Sequence, residues 1–261
     1  MELSIGVSTN TQELEAEAMA LAQQLRLPFT INSEDYDYLL FLSPKHLSLI
    51  KTGEKMLPLF VDFLAGKMTY RRQHASLRNE ALARALGLTH RNNPRIVDAT
   101  AGLARDSFIL ASLGFDIQLL ERSSIIHALV ADGIKRATEN SHVAPIVNRL
   151  HLIHTDAITW LQACAEPPDI IYLDPMFPSR QKTALVKKEM RIFQDILGDD
   201  TDAEALLQAA LACALKRVVV KRPRLAETIE GPIPSFSIKG TSSRFDIYLI
   251  EETHGKLTPV T

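Results

Sequence analysis

The chain has 261 residues, 46% of them hydrophobic and 23% charged, with a formal charge of -2 at pH 7. These are the proportions of an ordinary globular protein, which excludes a disordered or fibrous chain, and the length allows one large domain or a main domain with an appendage. The near-neutral total leaves room for a polyanionic partner, because basic residues gather at Tyr70-Arg71-Arg72, at Lys187-Lys188-Glu189-Met190-Arg191 and from Lys216 to Arg224.

The first half reads as a small α+β unit. A strand is expected at Leu3 to Val7, then a helix from about Thr11 to Leu25 with Thr11 as N-cap and Leu14, Ala18, Leu21 and Leu25 on one face. Short apolar runs follow at Tyr38 to Leu42, Leu47 to Ile50 and Leu59 to Phe63, broken by Pro44, Gly53 and Pro58. A helix from Leu77 to Leu86 closes at Gly87. The start lacks the basic and apolar regions of a secretion signal, and no apolar run is long enough to span a membrane, so a cytoplasmic protein is expected. Cys164 and Cys213, the two cysteines, are expected to be reduced core residues.

After Pro94 strands and helices alternate. "RIVDA", "DIQLLE", "LHLIHTD", "DIIYLD" and "RVVVKR" read as strands, Asp106 to Leu113, Ser124 to Glu139 and Thr201 to Leu215 as helices, and "SIKGTSSRFDIYLI" as a terminal strand pair. The expected fold is α/β, a doubly wound Rossmann-like sheet, with the chain divided into an α+β unit at 1–65, a connecting helical segment at 66–93 and the doubly wound domain at 94–261. Such sheets take ligands beyond the carboxyl ends of their strands.

Those ends carry acids. The first strand runs into "VDATAGLARDSF", where Asp98 closes the strand and a loop of small residues with Gly102 leads to a helix whose first turn holds Asp106. Small side chains let a ligand approach the backbone, but a single glycine and an acid do not suit a triphosphate; an acid there suits a sulfonium or an α-amino group. Glu121 ends the second strand, about 20 residues past the loop glycine, the spacing at which a strand-end acid meets ribose hydroxyls. Asp156 ends the third strand, within reach of an adenine amino group, and Asp174 ends the fourth. A row of four acids on one rim says more than any member. The histidines show no ligand spacing and the acids are far apart in sequence, so no metal is expected.

"YLDPMFP" resembles the Asp/Asn-Pro-Pro-aromatic motif of S-adenosylmethionine-dependent amino methyltransferases, and "DATAGLARD", "LLER" and "HTDA" resemble that superfamily's cofactor motifs in their usual order. An exocyclic amino group is a poor nucleophile because its lone pair is delocalised into the ring. Asp174 and the Pro175 carbonyl would hold its two hydrogens and aim the nitrogen at the methyl donor, while Phe177 would stack on a base turned out of its helix. Met176 departs from the superfamily pattern, which has a second proline there.

A closer resemblance accounts for it. "YLDPMFPSRQKTALVKKEMRIFQ", with "VDATAGLARDSFILASLGF", "RVVVKRP" and "RFDIY", is similar to the bacterial 16S ribosomal RNA guanine-N2 methyltransferase family, in which Met is the ordinary residue at that point. The resemblance runs from about Leu59 to Tyr248. It implies cofactor contacts at Arg105 and Asp106, Glu121 and Arg122, Asp156 and Ala157, and Asp174, with S-adenosylmethionine as cofactor and 16S rRNA or the small ribosomal subunit as partner. Asp98 and Gly102 are kept as loop anchors of the cofactor site. Lys182, Lys187, Lys188 and Arg191 after the motif, and Lys221 and Arg222 at the end of the next strand, are expected to meet RNA phosphates. Two rivals remain open: the same chemistry on another nucleic acid or a protein, and a non-catalytic RNA-binding assembly factor with this fold.

Overall fold

The computed structural model describes residues 3–54, 57–90, 92–176, 192, 195–196, 202–240 and 243–251. Near the N-terminus β1 (Ile5–Thr9), β2 (Tyr38–Leu42) and β3 (Leu47–Lys51) form a three-stranded sheet, β1 parallel to β2 and β2 antiparallel to β3. Helix α1 (Glu15–Leu25) buries Ala18 and Ala22 and packs on β1. Thr11 is not its N-cap. A 3-10 turn at Gln12–Leu14 comes first, Leu14 takes the capping position, and the Thr11 hydroxyl donates instead to Asn10 Oδ1 at 3.2 Å. The helix ends at Leu25 with Arg26 in left-handed backbone as its C-cap, and the chain from Pro28 runs beside β1, with the Val7 N–H donating to Pro28 O at 2.8 Å.

The apolar run Leu59 to Phe63 forms no strand. Leu59 alone bridges to Leu49, after which the chain leaves the sheet so that Val61 can pack on the next unit and Phe63 can stack on Phe108 at 4.8 Å between ring centroids. Helix α2 (Gly66–His74) follows, inside the segment expected to be helical, although no apolar stripe marks its bounds. The helix expected from Leu77 shrinks to α3 (Ala81–Ala85), because Ser76 and Asn79 hydrogen-bond each other's backbone N–H and hold a turn ahead of it.

The main sheet is built from β4 (Ile96–Asp98), β5 (Ile117–Glu121), β6 (Leu150–His154), β7 (Ile170–Leu173), β8 (Arg217–Pro223), β9 (Phe236–Lys239) and β10 (Ser243–Leu249), in the order β6-β5-β4-β7-β8-β10-β9. The first five in that order are parallel, and β10 enters antiparallel between β8 and β9. Central strands are buried on both faces, as the continuous apolar runs "IIYL" and "VVV" require. On one face lie α4 (Arg105–Ser112) and α5 (Ser124–Thr138), with the short α6 (Ala144–Val147) beside them. On the other lie α7 (Ala157–Gln162), too short to be read from the sequence, and α8 (Ala203–Cys213).

One apolar cluster runs without a break from Tyr38, Leu40 and Leu49 of the first sheet through Phe63 to Phe108, Ile126 and Leu129 of α4 and α5. The join is close: a Cβ on Gly133 of α5 would stand 2.6 Å from Val61 Cγ1. A second cluster fills the space between the opposite sheet face and α7 and α8. Cys164 and Cys213 are free and half-buried at its edge rather than in the core. The sheet order reverses at β4, which has β5 on one side and β7 on the other, and the crevice above that switch point is where doubly wound sheets take ligands.

Candidate active site

Three chain segments converge above β4. After Asp98 the chain turns through Thr100 and Gly102 into α4, using left-handed backbone at Gly102 (φ 50°) and at Ala104 (φ 55°), the residue before the helix. For alanine that conformation costs about 1 kcal/mol. The turn brings the Gly102 N–H to Glu121 Oε2 at 3.0 Å, while Glu121 Oε1 accepts from the Ser123 N–H at 2.8 Å. β5 is thereby tied to the loop of β4. From the third segment, at the end of β7, the Asp174 N–H donates to Thr100 Oγ1 at 2.6 Å, so one loop fixes both neighbouring strand ends.

The four strand-end acids share the rim but differ in setting. Asp98 is 2% exposed, with Ser107 Oγ and the Thr100 N–H donating to it, and burial pushes its carboxyl up to about 7. It is a floor residue. Asp156 caps α7, accepting from the Thr159 N–H and hydroxyl, both at 2.9 Å, with Ala157 as the first helical residue. Asp174, with 39% of its side chain exposed, and the exposed Asp156 can both be reached from solvent, whereas Glu121, like Asp98, is buried.

The centre of the site is Asp106, in the first turn of α4. Its Oδ1 accepts from Arg71 Nη1 at 2.7 Å, and its Oδ2 from Lys221 Nζ at 2.7 Å and from the Tyr172 hydroxyl at 2.9 Å. Lys221 also reaches Asp174 Oδ2 at 2.7 Å, and Arg71 extends to Glu80 Oε1 at 2.8 Å. The result is an alternating row, Glu80, Arg71, Asp106, Lys221, Asp174. Burial alone would raise the Asp106 carboxyl, but the charges of Lys221 and Arg71 hold it well below the usual carboxylate range. Burial likewise opposes the Lys221 ammonium, and Asp106 and Asp174 more than offset it, keeping the lysine protonated.

These groups line a cavity of about 460 Å³, within the range of small-molecule and cofactor sites. Arg105 and Arg122 stand on its wall, Arg122 paired with Asp202 at 2.6 Å, and Leu103, Ala157 and Ile158 add apolar surface. All the expected cofactor residues, Asp98, Gly102, Arg105, Asp106, Glu121, Arg122, Asp156, Ala157 and Asp174, lie around this one cavity. Among the described residues no cluster of His, Cys, Asp or Glu has the arrangement of a metal site.

Three residues have roles in the site that the sequence does not show. Arg71 arrives from α2, far away in sequence, and nothing local signals its partner. Tyr172 is the only polar-tipped side chain in an otherwise aliphatic strand, and Lys221 is a cation after three valines in a buried strand; both are signals, since buried polar groups need partners. Lys221 was expected to face phosphates and instead stands between two carboxylates inside the cavity. Arg222 is 6% exposed and donates from Nε to Glu227 O at 2.8 Å, a placement that suits bracing the turn after β8. Phe177, Lys182, Lys187, Lys188 and Arg191 lie outside the described residues.

A parallel sheet reversing at its first strand, with an acid on the neighbouring strand and a charged pocket above, is the Rossmann-like arrangement for a nucleoside-bearing ligand, and the family that matches the chain makes that ligand S-adenosylmethionine (SAM). A family model described as "Putative SAM-dependent methyltransferase" matches residues 20–250. The chain is 48% identical over 248 residues to a ribosomal RNA small subunit methyltransferase J of Thioalkalivibrio sulfidiphilus, covering 94% of this chain and 97% of the relative. Its counterpart in Marinobacter nauticus is 51% identical over 83% of this chain and 79% of that one. The crystal structure of a SAM-dependent methyltransferase from Neisseria gonorrhoeae matches with a TM-score of 0.74 at 33% identity, over 95% of this chain and 96% of that chain. The chain therefore belongs to the ribosomal RNA small subunit methyltransferase J family, and SAM is its cofactor.

The donor set fits that cofactor. Carboxylates and cations side by side at Asp106, Asp174, Arg71 and Lys221 suit a zwitterionic amino-acid end, and the apolar wall at Leu103, Ala157 and Ile158 suits a flat heterocycle.

Proposed function

We propose that this protein transfers the methyl group of SAM to the exocyclic N2 amino group of a guanine in 16S rRNA, acting in the cytoplasm on the small ribosomal subunit or its RNA. The observation that carries the reading is the placement of Asp174. It is partly exposed at the mouth of the cavity, its backbone is locked by Thr100, and Pro175 follows it. SAM, when bound, supplies an electrophilic methyl group. Asp174 accepts one hydrogen of the target amino group and the carbonyl of Pro175 the other, which aims the nitrogen lone pair at the methyl donor. Proline suits that position because it has no N–H to pair and ends the strand, and Pro175 itself is buried next to Asp174.

Glu121 meets the ribose hydroxyls, Asp156 the adenine amino group, and Arg105, Asp106, Arg122 and Ala157 line the remaining cofactor surface. Phe177 stacks on the flipped base. The proton leaves to water after transfer, so no side chain has to act as a general base. Lys182, Lys187, Lys188 and Arg191 meet RNA phosphates.

Radiolabelled methyl transfer to naked 16S rRNA, to small-subunit particles and to DNA tests the reading. Label is expected in guanine of the rRNA or the particle and not in DNA. Label in DNA or protein alone would move the chemistry to another substrate, and RNA binding with no transfer would make the protein an assembly factor. Asp174→Ala should abolish transfer while leaving the thermal unfolding midpoint nearly unchanged, because a rim acid contributes little to the core; a collapsed fold would mark Asp174 as structural.

A further inference from the structure

One oxygen of Asp174 already has a partner in this structure, and the carboxylate keeps further lone pairs with which to accept. Lys221 Nζ lies 2.7 Å from Asp174 Oδ2 and 2.7 Å from Asp106 Oδ2, and is only 27% exposed. The lysine follows Val218, Val219 and Val220 in β8, all three buried, so its stem is fixed by a packed strand. Asp106 is in turn fixed by Arg71 from α2 and by the Tyr172 hydroxyl from β7. A bridge held this firmly at both ends does two things: it sets the rotation of the Asp174 carboxylate, and it joins that carboxylate to one that lines the cofactor cavity.

We propose that Lys221 is a positioning residue for methyl transfer: it orients the Asp174 carboxylate toward the target amino group and couples it to Asp106 on the cofactor side. This rests on the reading of Asp174 as the acceptor of that amino group. The charge arrangement supports it. A lysine available for phosphate would project from the surface, whereas this one is enclosed by Asp106, Asp174 and Tyr172, with Arg71 and the buried Asp98 as the other ionisable groups facing Asp106. Holding a carboxylate within a narrow range of orientations is the kind of contribution whose loss costs rate more than affinity. Arginine, with a planar fork in place of a single ammonium, can bridge two carboxylates but at altered spacing.

Two measurements test the proposal. In the first, single-turnover methyl transfer to 16S rRNA is followed across pH for wild type, Lys221→Met and Lys221→Arg. The methionine variant is expected to lose about tenfold or more in rate with little change in RNA affinity. Its rate profile should also move its acid limb to higher pH, since Asp106 loses the Lys221 charge that holds its carboxyl low, and arginine should restore part of both. An unchanged rate and acid limb overturn the proposal, as does a loss of RNA affinity at constant rate, which would return Lys221 to phosphate binding.

The second measurement needs no RNA. SAM affinity is determined by calorimetry for Lys221→Met, Asp174→Asn and the double variant. Coupling of at least about threefold in the dissociation constant is expected, because each single change breaks the same bridge. Additive effects overturn the proposal even if transfer to rRNA is observed. Absence of transfer by the wild-type protein would instead refute the functional reading and leave this cycle as a separate result.

Discussion

Asp98 holds a proton that most aspartates have lost at the same pH. Burial raises its carboxyl to about 7 even though Ser107 and the Thr100 N–H pull the other way, and the charges of Asp106 and Asp174 add to the rise. In the unfolded chain an aspartate titrates near 3.9, so between about pH 4 and about pH 7 only the folded form keeps this proton. Stability contributed by the neutral carboxyl is therefore greatest below that window, declines across it by a few kcal/mol at ~1.4 kcal/mol per pH unit, and is constant above it. Asp106 has the opposite sign: its folded carboxyl is depressed, so its contribution is present at neutral pH and lost only in strong acid. Denaturant midpoints at about pH 5 and about pH 8 should fall less steeply in Asp98→Asn than in wild type; identical slopes would mean that Asp98 is ionised when folded. At this scale the strand-end acids were legible, because an apolar run ending in a carboxylate and a proline is a local pattern. Arg71 and the true partners of Lys221 were not, since only the packed fold brings α2, α4 and β8 together.

Among the elements, the parallel strands of the main sheet were readable because burial on both faces makes each a continuous apolar run. Periodicity was less use elsewhere. Helix α2 lies in the segment expected to be helical but carries no apolar stripe to mark its bounds, and the apolar run Leu59 to Phe63 satisfies its burial by packing rather than by pairing. Val61 shows what the run does instead: it meets α5 at Gly133, where any Cβ would come within 2.8 Å of Val61 Cβ and 3.2 Å of its carbonyl oxygen. Gly133→Val should cost about 1–3 kcal/mol by overpacking in spite of the better helix propensity of valine over glycine. Gly66→Ala, at the start of α2 with open space around it, is the matched control and should be neutral or stabilising. Urea unfolding of the two variants checks the contrast, and equal midpoints would show that α5 can move away from residue 61 at no cost.

For the molecule as a whole, we propose that the division at 1–65, 66–93 and 94–261 is one of topology and not of independent stability. The first sheet shares its apolar cluster with α4 and α5, Tyr38 donates to Asp195 Oδ2 at 2.6 Å, and α2 supplies Arg71 to the site. A fragment of residues 94–261 should therefore lack a cooperative thermal transition and bind SAM poorly, as circular dichroism and calorimetry would show; a sharply melting fragment with full affinity would refute the shared core. The row of Glu80, Arg71, Asp106, Lys221 and Asp174 joins the second and third parts of that division. With three formal negative charges and two positive, the row has a net formal charge of -1. SAM, with its sulfonium, ammonium and carboxylate, carries one net positive charge, and the demethylated product carries none. Turnover thus removes the electrostatic attraction that brought the cofactor in, and the same row of side chains that favours loading of the site favours its emptying.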